Sequence, residues 1–186
     1  MATQPCGEQT GHFVSVEDYI STNYEPDCEF DDGIVVKRNV GEFEHSFLQS
    51  ILATVFNVNM DPWGVFALTE QRVQIKSTKF LIPDVCVLQV GAHADPIIVE
   101  PPLIAIEIMS PEDPSRRLAN KAVEYLDFGI KHVWVIDPNA RVAFRGTHSG
   151  LERIANGEFL VPETPIVIRT AELFDKLDRI RALGSR

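Results

Sequence analysis

Hydrophobic and polar positions along the chain follow two periods. From about Glu42 to Val58, Phe43, Phe47, Leu48, Ile51, Leu52, Val55 and Phe56 recur at three- and four-residue spacing, which predicts a long helix with one wide apolar face. Asp61-Pro62-Trp63-Gly64 breaks it. Three strands are expected next, at about Gly64 to Lys76, Ile82 to Gln89 and Leu103 to Met109. The last two are nearly continuous apolar runs, as in strands covered on both faces. A second helix is expected from about Pro114 to Phe128, with Asp113 as N-cap, Pro114 at the first helical position and Gly129 as its stop. His132 to Ile136 predicts another strand, and Asp137-Pro138-Asn139 a turn. Arg141 to Arg145 with Leu151 to Ile154 predicts a terminal hairpin. A last helix is expected over about Ala171 to Leu183, capped by Thr170, with Leu173, Leu177 and Ile180 toward the sheet.

Upstream, Ser15-Val16-Glu17-Asp18 resembles a capping box and predicts a short helix through about Thr22. Cys28-Glu29-Phe30 and Ile34-Val35-Val36-Lys37 flank Asp31-Asp32-Gly33, whose Asp-Gly supplies the positive φ of a tight hairpin turn. Residues 1–14 read as a loosely ordered N-terminal segment. With no internal repeat, linker or low-complexity block, residues 1–186 read as one α/β domain. Its expected architecture is a mixed central sheet flanked by helices, with an N-terminal helix-hairpin element.

Composition narrows the function. No apolar run approaches the roughly 20 residues that span a bilayer, so no membrane partner is expected. The N-terminus has neither a basic region nor an apolar core and does not read as a secretory signal. Cys6, Cys28 and Cys86 are widely spaced, without a CxxC or a Cys/His cluster. That argues against structural zinc, predicts a buried free thiol at Cys86, and fits a reducing cytoplasm. The net charge of −10 argues against holding nucleic acid by bulk electrostatics, but not against an enzyme that recruits divalent cations. Lys37, Arg38, Arg72, Lys76, Lys79, Arg116 and Arg117 are scattered, and read as surface charges in preference to phosphate contacts.

Three polar residues stand in apolar settings. Asp84 lies within Leu81 to Leu88, and Glu107 within Leu103 to Met109. A buried carboxylate is costly unless it is paired, hydrogen-bonded or metal-bound, so two on adjacent strands could share one cation. Oxygen ligands without cysteine suit Mg²⁺ or Mn²⁺, which can polarise a phosphoryl oxygen and activate water. On an ideal helix Lys121 falls about 40° beyond Tyr125, at the edge of the apolar arc, where its stem can follow the core and deliver the ammonium to the sheet. Arg117 and Glu124 fall further round, toward solvent. Each residue alone also has an ordinary reading: Asp84 as a turn residue, Glu107 as an edge residue, Lys121 as a solvated helix lysine.

Their order resembles the Uma-two family, a bacterial group described as “putative restriction endonucleases” and as a domain of unknown function. The resemblance runs through Pro83-Asp84-Val85, then Ile106 to Pro111 around Glu107, then Lys121, Tyr125, Gly129, Trp134 and Asp137-Pro138. Upstream, Glu29 to Gly33 is similar to the family's Glu-x-x-x-Gly element, and His45 to the histidine that opens its long helix; residues 15–155 are covered. The resemblance implies a restriction-endonuclease-like fold of the PD-(D/E)XK superfamily, with Asp84 and Glu107 as metal ligands and Lys121 as the catalytic lysine. Met109 stands where the general (D/E)XK pattern has lysine, so Lys121 would be a relocated one. Glu29 and His45 are candidates to line the site, His45 equally as a hydrogen-bonding group at a helix start. Glu70, on the strand before Asp84, is a candidate third acid.

The expectation is a Mg²⁺- or Mn²⁺-dependent endonuclease acting on DNA, as a homodimer if both strands are cut. The alternatives are an inactive nuclease fold serving as a binding or assembly module, and a hydrolase of a smaller phosphate ester.

Overall fold

Alternating side chains on the central strands divide the core into two layers and fix the face on which each acid lies. The computed structural model describes residues 3–6, 13–38, 42–93, 95–111 and 115–184. In chain order the elements are β1 Thr3–Pro5, α1 Val16–Ser21, β2 Asn23–Glu25, β3 Glu29–Asp31, β4 Ile34–Val36, α2 Phe43–Val58, α3 Met60–Trp63, β5 Val65–Thr69, β6 Val73–Lys76, β7 Lys79–Leu81 and β8 Val85–Gln89. There follow β9 Ile104–Ile108, α4 Ser115–Phe128, β10 His132–Asp137, β11 Val142–Thr147, β12 Gly150–Arg153, β13 Glu158–Leu160, β14 Val167–Arg169 and α5 Thr170–Gly184.

The larger sheet has the order β12-β11-β10-β9-β8-β5, with β9 and β10 parallel and the other pairs antiparallel. Val85, Val87, Ile104, Ile106, Ile108, Trp134 and Ile136 face Leu48, Leu52 and Phe56 of α2, with Leu173 and Phe174 of α5 completing that layer. Cys86, Leu88, Ala105 and Val133 point the other way, against Ala122 and Tyr125 of α4. Since successive strand residues alternate faces, Glu107 shares the α4 side with Ala105. This is the expected mixed sheet between helices.

A second sheet, β4-β3-β7-β6, carries the aromatic cluster Tyr19, Tyr24, Phe30 and Phe80. Asp32 (φ 46°) and Gly33 (φ 90°) make the predicted tight turn between β3 and β4. Between β7 and β8 the chain crosses from one sheet to the other, and Asp84 is the last residue of that crossing.

Several expectations need correction. The strand expected over 64–76 is two strands in different sheets, because Glu70 adopts a left-handed φ of 53° and turns the chain aside. The run at 82–89 forms a strand only from Val85. Asp61 to Trp63 is a helical turn within α3, ended by Gly64 in the left-handed region (φ 65°). Thr170 lies inside α5, where its Oγ1 donates to the Gly157 carbonyl at 2.9 Å, and Ile180 is 39% exposed rather than packed. The β13–β14 hairpin escaped sequence reading because three-residue strands show almost no period; Phe159 anchors it by stacking on Trp134, with ring centroids 4.6 Å apart. Of residues 1–14, Thr3–Pro5 pairs with β2, and Cys6 and Cys28 form a disulfide with Cα atoms 6.1 Å apart. Only Cys86 is the free buried thiol, so cysteine usage no longer argues for a reducing compartment. The caps expected at Asp113 and Pro114 lie outside the described residues.

Candidate active site

Three elements and the β7–β8 crossing each bring one charged side chain to the seam between the sheets. Asp84 ends the crossing segment just before β8, its carbonyl held by Gln49 Nε2 at 3.0 Å and by the Glu70 N–H at 3.3 Å. Glu107 projects from β9, Glu29 from β3 and Lys121 from α4, and all four side chains are buried. Lys121, 8% exposed, does what its helix-edge position predicts. Its Nζ lies 2.6 Å from Glu29 Oε1 and 2.8 Å from Glu107 Oε1, and donates to the Ile82 carbonyl at 3.3 Å. Tyr125, one helical turn on, donates its hydroxyl to the same Glu107 oxygen at 2.7 Å.

Asp84 is held from the other side. Its Oδ2 accepts the Ile108 N–H at 2.7 Å and lies 3.1 Å from His45 Nε2, while Oδ1 lies 3.0 Å from Arg38 Nη2. Asp84, Glu107 and Lys121 share the lining of a cavity of about 30 Å³ with Arg38, His45 and Arg117. That is room for a water or an ion, not for a nucleotide. A larger cavity, about 530 Å³, shares Lys121 and Arg117 with the smaller one and is lined also by Lys79, Arg116, Val36 and Leu81.

The charges respond to this arrangement. Burial pushes the Asp84 carboxyl up, but the hydrogen bond and charge of His45, with Lys121 and Arg38, hold it below the usual carboxylate range. Glu29 also ends below its ordinary value, because Lys121 overcomes the effect of burial. For Glu107 burial wins: with Asp84 and Glu29 repelling a further negative charge, it rises to about 7 despite Lys121. Burial opposes the charged forms of Lys121 and His45, yet the neighbouring carboxylates keep both above their ordinary values. Burial and Glu107 keep the Tyr125 phenol protonated, hence a donor.

The structure therefore brings Asp84, Glu107, Lys121, Glu29 and His45 together. His45 reaches across to Asp84. Glu70 stands apart from the cluster: its side chain is 54% exposed, and among the described residues it meets Nη1 of Arg38 alone, at 3.7 Å. Arg38 and Arg117, read as surface charges, line the cavity instead, and Arg117 pairs with Glu29 at 3.4 Å. Tyr125, named only for the apolar arc and the resemblance, joins them through Glu107; its spacing four residues after Lys121 was the available signal. Arg38 carried none, being an arginine at the end of a short strand.

The oxygens left over decide whether a hard divalent ion suits these residues. Glu107 Oε1 is occupied, but among the described residues Oε2 has no hydrogen-bond donor and Asp84 Oδ1 meets a side-chain guanidinium alone. Each acid can thus offer one oxygen while the other stays fixed. Among the described residues no three of His, Cys, Asp and Glu gather into a metal-binding group. Two carboxylates with water completing the shell is nonetheless a common way for Mg²⁺ to sit, and the donor set fits it.

This mixed sheet, with its buried acids and lysine at the seam, has a solved counterpart in fold. A “putative nuclease belonging to DUF820” from Anabaena variabilis superimposes with a TM-score of 0.75 at 21% identity, covering 88% of this chain and 99% of that one. The profile of the Uma2 family, described as “Putative restriction endonuclease”, matches residues 14–165, and the chain belongs to that family. No curated protein matches the chain. Among the described residues no helix is long and apolar enough to cross a membrane.

Proposed function

We propose that the protein is a metal-dependent endonuclease that hydrolyses phosphodiester bonds in DNA. The observation that carries this reading is the convergence of Asp84, Glu107 and Lys121 on one small cavity, in a chain of this family. Asp84 and Glu107 would hold Mg²⁺ or Mn²⁺, which when bound lowers the pKa of water and neutralises charge on the phosphoryl oxygens. The Ile108 N–H, His45 and Tyr125 fix the carboxylates so that little reorganisation is left for the reaction. Lys121, between Glu107 and Glu29, stabilises negative charge developing at the cavity wall or orients the attacking water.

The overall charge of −10 is less of an obstacle than it looks from composition. Arg38, His45, Arg117 and Lys121 crowd the cavity, so the local balance differs from the global one. The cavity's small size also favours a substrate that presents a phosphate while its bulk stays outside, as a polymer backbone does. Purified protein should nick or cut duplex DNA in Mg²⁺ or Mn²⁺, and Asp84→Ala and Glu107→Ala should lose at least about a hundredfold of that rate with circular dichroism unchanged. Turnover of nucleotide esters but not duplexes would move the assignment to a small phosphate ester. No turnover, with metal binding unaffected by either substitution, would leave a non-catalytic scaffold.

A further inference from the structure

Asp84 and Glu107 are each held asymmetrically. One oxygen of each is fixed by the fold: Asp84 Oδ2 by the Ile108 N–H and His45, Glu107 Oε1 by Lys121 and Tyr125. The other oxygens face the site. Asp84 Oδ1 is covered at 3.0 Å by Nη2 of Arg38, a group that keeps its charge at any working pH. Nη1 of the same guanidinium lies 3.7 Å from Glu70 Oε1, on an acid half in solvent. Arg38 thus spans from a buried carboxylate to a second acid at the rim.

We infer that Arg38 is a built-in counter-cation that neutralises Asp84 in the metal-free protein and moves toward Glu70 when a divalent cation binds Asp84 and Glu107. This rests on the metal-ligand reading of those two acids. The physical reason is competition: a guanidinium and a divalent ion cannot both contact Asp84 Oδ1 without strong repulsion at close range. Glu70 then has a role that its distance from the cavity would not suggest, because it receives the displaced charge. The arrangement stabilises the acid cluster without metal and lowers its intrinsic metal affinity.

Calorimetric titration of Mn²⁺ into the metal-stripped full chain tests this directly. Arg38→Gln should bind Mn²⁺ about tenfold more tightly than wild type, since nothing has to be displaced. Glu70→Gln should weaken binding about threefold in the wild-type background and have no effect alongside Arg38→Gln. Equal or weaker binding by Arg38→Gln would make Arg38 a brace for Asp84 and overturn the proposal. So would an equal effect of Glu70→Gln in both backgrounds, which is what an acid acting by charge alone would give. If Arg38→Gln does not fold, Arg38→Lys takes its place: a single Nζ forfeits the paired Nη1 and Nη2 contacts, so Glu70→Gln should weaken binding less there than in wild type, and an equal effect overturns the proposal. Absence of Mn²⁺ binding in wild type and every Arg38 variant would instead refute the metal-ligand assignment itself. Binding by wild type that Arg38→Gln fails to tighten refutes only the counter-cation.

Discussion

Glu107→Gln should stabilise the metal-free protein, increasingly so as pH rises. The Glu107 carboxyl ionises at about 7 in the fold and near 4.5 ordinarily, chiefly because it is buried. Below pH 4.5 it is protonated in both the folded and the unfolded chain and has no effect on stability. Between 4.5 and 7 the unfolded chain gives up this proton while the folded chain keeps it, so stability falls as pH rises. Above 7 both forms are ionised and the deficit is constant. At about 1.4 kcal/mol per tenfold change, it amounts to about 3 kcal/mol. An amide of the same shape removes this dependence. It also leaves Lys121 with Glu29 as its remaining close carboxylate partner, which offsets part of the gain. That offset does not vary between pH 5 and 8, since Lys121 stays charged throughout. The pH dependence of the difference is therefore the diagnostic quantity. Thermal melts of both proteins in chelator should show the Glu107→Gln advantage growing by about 2 to 3 kcal/mol from pH 5 to pH 8, or about 8 °C in Tm for a chain of this length. Asp84, Glu29 and His45 titrate in both proteins and largely cancel. A difference flat with pH, or one that shrinks toward pH 8, would refute the claim that burial and like charge hold Glu107 near neutrality.

Two other substitutions probe the same framework. Lys121→Met keeps the length of the stem but strands Glu29 and Glu107 without their shared cation, and should cost about 3 to 5 kcal/mol in urea denaturation at pH 8; a loss below about 1 kcal/mol would show that the ammonium is not what balances them. Asn57 binds both backbone groups of Ala67, accepting from its N–H at 2.8 Å and donating to its carbonyl at 3.1 Å, on β5 at the sheet edge. Asn57→Ala should cost about 1 to 2 kcal/mol and promote self-association through the uncapped edge, read by sedimentation velocity.

The parts of the fold legible in the sequence were those whose signal is local and repeated. Helix α2 announced itself through seven apolar residues on one period, and β8 and β9 through runs with no polar interruption except at the acid. What stayed illegible depended on pairing across the chain. The left-handed turn at Glu70 follows from where the Asp84 carbonyl sits and from the need to pass from one sheet to the other. Nothing in the residues from 64 to 76 signals it. The β13–β14 hairpin is anchored by Trp134, more than twenty residues upstream of Phe159, and the disulfide joins segments that no motif connects.

The site divides in the same way. Asp84 and Glu107 were visible because carboxylates are rare in apolar strands, and Lys121 because a helix has a calculable edge. Of the cations that hold Asp84, His45 was visible only through the family resemblance and Arg38 not at all, and these two decide how the charge is shared. A lysine between two acids could have produced a fully compensated triad. It does not, because Asp84 is compensated separately by Arg38 and His45, and Asp84 and Glu29 then press on Glu107. Three acids with unequal partners leave one of them under-compensated, and Glu107 is also the one with an oxygen free of described donors. An added divalent cation would relieve the cluster's electrostatic imbalance at that acid, so the residue least comfortable in the metal-free fold is the one best placed to receive it.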